Sequence, residues 1–228
     1  MGEGWDHEVD LLVAGSGAGG LTAALAGRHA GLDTLVIEKA SVYGGSTALS
    51  GGGIWIPNNP ELRRRGRGDD PAEVLTYLHA IVGDRVPAAR VETFARAGAE
   101  AMEFLEASSP HLRFSWCQGY ADYHPEAPGG RPLGRSIEAL PFDMRRLGAD
   151  EPRLRRGLRT PGGAWMTASD FHDLTMMRRT WTGRRALLRM AGRVLTNLVR
   201  RRHMVTLGGA LIGRMRLAVS DAGIPLWL

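Results

Sequence analysis

Cysteine is almost missing from this 228-residue chain. Cys117 stands alone, so no disulfide can form within it, which points to a reducing compartment such as the cytoplasm. No basic helix start or CxxC pattern accompanies it, so redox chemistry at Cys117 is not expected. Lysine is nearly missing as well. Lys39 is the single lysine, and arginine carries most of the positive charge behind the formal net charge of +5. That skew, with abundant alanine and glycine, reads as the mark of a GC-rich genome. A nucleic-acid surface would need a patterned basic face with stacking aromatics, so nucleic acid is not expected as a partner. No run of eighteen apolar residues occurs, which excludes a membrane-crossing helix of ordinary length. The start, Met1 to Asp6, has neither the basic residues nor the apolar stretch of a secretory signal. Metal-ligand spacing is absent too: His172, between Asp170 and Asp173, has no further ligands at the right distance along the chain, and no metal is expected. What is present is 43% hydrophobic residues, enough to build the core of a large domain.

The chain opens with a buried strand, Val9 to Ala14, followed by a glycine turn, Gly15 to Gly20. A helix rich in small residues runs from Leu21 to Ala30 and ends near Gly31. A second buried strand covers Thr34 to Ile37. Gly44 to Gly53 is a glycine and serine loop. Asp70 and Pro71 begin a helix reaching Val82, and Pro87 begins another reaching Ala107. Phe114 to Trp116 reads as a strand in a stretch, Ser108 to Gly163, where periodicity is weak. Helical period returns over Arg184 to Arg202, with Leu187, Leu188, Ala191, Val194, Leu195 and Leu198 on one face. Leu207 to Ala222 is a further helix, and Ile224 to Leu228 begins a strand. No internal repeat is visible.

The first two strands frame a phosphate-binding turn. Gly15 permits the tight bend, Gly17 leaves room for a pyrophosphate, and Gly20 lets helix and strand pack closely. The helix N-terminus offers N–H groups and a partial positive charge to the phosphates, beside Ser16, Ala18 and Gly19. Glu38 closes the second strand, eighteen residues beyond Gly20. A carboxylate there accepts hydrogen bonds from ribose hydroxyls and repels a 2′-phosphate. Strand, turn, helix, strand and acid in this order predict a dinucleotide site on a Rossmann-like α/β fold with a central parallel sheet. They do not choose between NAD and FAD.

The next segment does. Glu38-Lys39 is followed by Gly44-Gly45-Ser46-Thr47 and then by Ser50-Gly51-Gly52-Gly53-Ile54-Trp55. Asp10 to Pro57 thereby resembles the flavoprotein family of fumarate reductases, succinate dehydrogenases and 3-ketosteroid dehydrogenases. The resemblance implies FAD, with Gly44 to Ile54 leading the backbone past the pyrophosphate and along the flavin. Ile54-Trp55-Ile56-Pro57, Tyr120 to Glu126, Gly134-Arg135-Ser136-Ile137 and Gly208 to Arg214 are each similar to segments of the 3-ketosteroid dehydrogenase branch. In that branch a tyrosine matching Tyr123 lines the steroid pocket and supports a second, catalytic tyrosine. The resemblance therefore implies a small hydrophobic ketone or steroid as substrate and an unidentified electron acceptor. It also implies a catalytic part for Tyr123. A half-buried aromatic with its hydroxyl on a backbone carbonyl is the bland alternative.

The family is more than twice this long. Residues 1–228 are therefore expected to form a partial FAD-binding domain, incomplete at the C-terminus, with 1–57 as its nucleotide-binding core and without the substrate-binding domain. Such a fragment is expected not to turn over alone. A fumarate reductase-type enoate reductase, or a truncated remnant without activity, remains the alternative. Residues 160–206 form an arginine-rich helical insert without counterpart in the simplest relatives. Its helix is expected to pack on the domain with solvated arginines. The alternative is weak contact of 184–202 with an anionic membrane, making the protein peripheral at the inner membrane face.

Overall fold

The computed structural model describes Trp5, residues 7–157 and residues 165–228. Its centre is a parallel sheet of three strands: β1 (Leu11–Ala14), β2 (Thr34–Ile37) and β8 (Leu226–Trp227), in the order β1-β2-β8. Leu11 to Ala14 pair in register with Thr34 to Ile37, and Val36 and Ile37 pair with Leu226 and Trp227. The expected α/β arrangement is thus present, with the glycine turn at the carboxyl end of β1.

Helix α1 (Ala18–His29) crosses from β1 to β2. Two glycines set how close it lies. A Cβ on Gly20 would sit 2.0 Å from the Gly15 carbonyl oxygen, and one on Gly27 would sit 2.3 Å from Leu11 Cδ2. With these side chains missing, Leu21 and Leu25 bury against Val13 and Val36. Helix α7 (Leu207–Asp221) adds Ile212, Met215 and Val219 to the same core. Leu21 and Ile212 are fully buried, each worth about 1.5–3 kcal/mol relative to exposure.

The connection between β2 and α7 carries the remaining elements. A 3-10 turn at Thr47–Leu49 leads to β3 (Gly53–Trp55). The short α2 (Pro60–Arg64) follows, then α3 (Pro71–Val82), capped by Asp70 accepting from the Ala72 N–H, and α4 (Ala88–Ser108). β4 (Phe114–Trp116) and β3 flank β5 (Ser136–Ala139) in an antiparallel sheet. β6 (Phe142–Asp143) pairs with β7 (Met204–Val205). Two short 3-10 turns, joined by a kink at Gly148, span Met144–Arg153 between β6 and β7.

The arginine-rich region differs from expectation. Its residues 160–164, like the side chain of Leu198, lie outside the described residues. Beyond them α5 (Ala168–Thr175) opens on a capping box of Thr167 and Asp170, and α6 (Trp181–Arg200) packs against it. The leucine face is not the docked one. Leu187, Leu188 and Leu195 are 53%, 72% and 64% exposed, whereas Ala186 is fully buried. The reason is electrostatic and steric. Arg193 binds the buried Asp170 and lies 3.9 Å over the Trp165 ring, and Arg189 pairs with Asp173. Gly183 and Ala186 share the inward side, where their size permits close approach.

Candidate functional site

The turn, the acid and the glycine loop meet on one side chain. Ser16 is fully buried at the head of α1. Its hydroxyl donates to Glu38 Oε2 at 2.5 Å and accepts from the Gly44 N–H at 2.9 Å. The Ser16 N–H donates to the same Glu38 oxygen at 3.0 Å, and the Ala40 N–H donates to Oε1 at 3.0 Å. These bonds, led by the Ser16 hydroxyl, hold the Glu38 carboxyl below its usual pKa, and the nearby Arg155 charge acts in the same direction. Arg155 comes close because Tyr43 and Leu154 form an isolated bridge, with Arg155 N–H donating to the Tyr43 carbonyl at 2.9 Å.

A second link joins the two glycine segments. Thr47 Oγ1 accepts from the Ala18 N–H at 3.2 Å. Gly17 is the residue before α1, and a Cβ there would meet only Thr47 Oγ1, at an ordinary 3.5 Å. Gly15, at φ +102°, and Gly44, at φ +114°, have backbones that side chains rarely adopt. Gly45 approaches the Gly17 Cα, with a built Cβ at 3.6 Å. Gly19, Ser46 and Lys39 sit at the exposed rim. The donor set suits the ADP half of a dinucleotide. Helix N–H groups lie beside space that a side chain at Gly17 would fill, and a carboxylate stands at the end of β2.

Further along, Ser50 and Gly51 are exposed and Gly52 is buried beneath the start of α7. A Cβ on Gly52 would fall 2.3 Å from the Leu207 carbonyl carbon, and one on Gly208 would fall 1.9 Å from the Thr47 oxygen. The backbone of the Leu207–Gly209 start of α7, with no side chain at Gly208, therefore braces the loop from below. Gly53 and Ile54 belong to β3, not to an irregular loop, and pair with Glu138 and Ile137. Ser50 and Ala48 also line a cavity of about 600 Å³ with Arg155, Trp165 and Leu207.

Tyr123 lies apart from this cradle, on the segment between β4 and β5. Its side chain is 76% exposed and rims an apolar cavity of about 360 Å³, with Trp55, Tyr77, Leu78 and Phe94 among the other walls. The buried Tyr77 accepts from the His124 N–H at 3.3 Å through its hydroxyl oxygen, and burial raises its phenol pKa above the usual 10. Ser16 was expected as part of the turn, whereas Tyr77, Arg155 and Gly208 were not singled out by sequence as parts of a site. Their roles arise from contacts between distant segments. Only Gly208 carried a hint, through the similarity of Gly208 to Arg214 to a family stretch.

Comparison with known proteins agrees with this arrangement. The family described as FAD binding domain matches residues 10–220. A 3-oxosteroid 1-dehydrogenase of Mycolicibacterium smegmatis is 44% identical over 227 residues, covering 97% of this chain and 39% of that protein. The 3-oxosteroid 1-dehydrogenase of Mycobacterium tuberculosis H37Rv is likewise 44% identical, with the same coverage. The chain thus spans about two fifths of the length of these curated relatives. The crystal structure of 3-ketosteroid delta1-dehydrogenase from Sterolibacterium denitrificans, in complex with 1,4-androstadiene-3,17-dione, superposes with a TM-score of 0.82. Its identity is 30%, over 96% of this chain and 40% of that one.

Proposed function

We propose, from the premise that this chain belongs to the FAD binding domain family, that it is the flavin-binding portion of a dehydrogenase desaturating a 3-oxosteroid or related cyclic ketone. The observation that carries the reading is the convergence of the Gly15–Gly20 turn, Glu38 and the Gly44 loop on Ser16. In this reading the α1 N-terminus and Gly17 receive the pyrophosphate, and Glu38 receives the adenosine ribose through its outward lone pairs. Gly44 to Ile54 follow the flavin. FAD supplies the hydride acceptor when bound.

The chain's own contribution to chemistry is at Tyr123. Desaturation next to a ketone needs a group to remove the acidified proton. A phenol is a poor base near neutrality unless a second hydrogen-bonded group makes it competent. Tyr123 is the phenol that hydrogen-bonds and orients such a base at the edge of the apolar cavity. The enoate-reductase alternative has less support. The flavocytochrome c3 fumarate reductase structure shares 16% identity and speaks to the fold alone.

Residues 1–57 are proposed as the nucleotide-binding core and 160–206 as an inserted helical region. An electron acceptor outside the chain completes the cycle. Among the described residues no helix is long and apolar enough to cross a membrane. Weak contact of 184–202 with an anionic membrane is supported by the exposed Leu188 and Leu195 next to arginines.

The test is dye-coupled oxidation of a 3-oxosteroid by the protein made in its complete reading frame. Activity that falls severely in Tyr123→Phe is the expected result. Absence of oxidation, or an unchanged rate in Tyr123→Phe, removes the substrate class or the tyrosine respectively.

A further inference from the structure

The segment carrying Tyr123 is built around buried charge. Asp122 is 3% exposed. Its carboxylate accepts from Trp55 Nε1 at 2.8 Å, from the Arg131 N–H at 3.0 Å, from the Arg135 N–H at 3.1 Å and from the Arg135 guanidinium. Arg135 is fully buried. Its Nε donates to Asp69 at 2.8 Å and its Nη2 to the Gly129 carbonyl at 2.9 Å. Its guanidinium lies 5.8 Å from the centre of the Trp55 ring and 5.3 Å from that of Tyr77. Asp69 also accepts from the Asn58 N–H at 2.6 Å and pairs with Arg131 at 3.1 Å.

On the other side of Tyr123, the His124 N–H is held by the Tyr77 hydroxyl. The residues before and after Tyr123 are therefore both fastened, while its ring projects into solvent at the cavity rim. Stability alone is a poor reason for this construction. A buried ion pair contributes no more than well-packed apolar residues of similar volume. What a planar guanidinium adds is geometry. Its fork fixes two carboxylates and one carbonyl in set directions, which an ammonium cannot reproduce. Trp55, one of the donors, ends β3, the strand that begins at Gly53 and continues the glycine loop.

We infer that Arg135 is a positioning residue, which holds Tyr123 through Asp122 in fixed register with β3 and the loop that precedes it. The inference rests on the proposed role of Tyr123. Loss of the fork leaves Asp122 held by Trp55 and two backbone N–H groups alone, no longer tied through the guanidinium to Asp69 and the Gly129 carbonyl. A displacement of about 1 Å at a reacting group costs on the order of 10²-fold in rate.

The test is a double-mutant cycle in the complete reading frame with FAD bound, reading kcat, KM and flavin content for a 3-oxosteroid. Arg135→Lys is expected to lower kcat by about 10²-fold with little change in flavin content. The double variant with Tyr123→Phe is expected to be no slower than Tyr123→Phe alone. Trp55→Phe removes one donor and keeps the Arg135–Asp122 pair. It is expected to show a smaller loss that also vanishes in the Tyr123→Phe background. If Arg135→Lys fails to hold flavin, the Trp55→Phe cycle decides in its place. Losses that multiply in the doubles, or parental kcat in Arg135→Lys, overturn the positioning role while leaving Tyr123 intact. Parental kcat in Tyr123→Phe overturns the reading of the tyrosine itself, and the positioning role with it.

Discussion

Ser16 shows how much of a nucleotide site rests on a small side chain. Its hydroxyl satisfies the Gly44 N–H in a buried position and gives Glu38 its shortest hydrogen bond. Ser16→Ala leaves that N–H unpaired, a cost of about 1–3 kcal/mol, to be read as a shift in denaturant midpoint at unchanged slope. Glu38 has a lowered pKa in the fold, so its contribution is present above its unfolded value of about 4.5 and is lost as pH falls through the lower folded value. Stability of the apo chain is expected to fall over that acid range. The fall is expected to flatten in Glu38→Gln, and a parallel pair of pH curves contradicts the assignment. Glu38 was legible in the sequence because an acid at the end of a second strand follows from the spacing. The Ser16 junction was not, because it spans twenty-eight residues to Gly44 and depends on where the loop returns.

At the level of elements, periodicity identified what was locally regular. β2 and α3 have the bounds expected of them, since β2 is a continuous apolar run and α3 has an Asp-Pro start. α4, β4 and α7 fall within a residue or so. β3 and β5 were not read as strands. β3 hides in a glycine run and β5 carries Glu138 at a fully buried place; their pairing, not their composition, makes them strands. The leucine face of α6 was seen, but its docking was misjudged, because Asp170 and Trp165 draw arginines inward.

Two outcomes belong to this scale. A Cβ at Gly208 would strike the Thr47 carbonyl oxygen at 1.9 Å. Gly208→Ala is expected to cost about 1–3 kcal/mol, the usual range for overpacking, measured by thermal unfolding. Glu138 accepts the Ala168 N–H that opens α5, yet burial pushes its carboxyl up to about 7. A raised acid pKa stabilises the fold fully below the unfolded value, and that contribution is lost as pH rises through the folded one. The parent is therefore expected to lose stability between about pH 4.5 and 7, and Glu138→Gln to lose this dependence. An unaltered profile in Glu138→Gln would contradict it.

Across the whole molecule, the core lies between α1, α7 and the parallel sheet, and the cradle sits at the carboxyl end of β1 and β2. One fold feature thus supports both stability and binding, and glycines divide the two tasks. Gly20 is needed by the protein, since its Cβ would lie 2.0 Å from the Gly15 oxygen. Gly17 is not, since its Cβ would make only an ordinary contact. The most direct measurement is FAD titration of the chain and its Gly17→Ala and Gly17→Val variants, paired with unfolding of each without FAD. The account predicts parental stability in Gly17→Ala with affinity at least about ten-fold weaker, a loss of about 1.4 kcal/mol, and no binding in Gly17→Val. Parental FAD affinity in a folded Gly17→Val protein would show that the pyrophosphate does not lie at this turn.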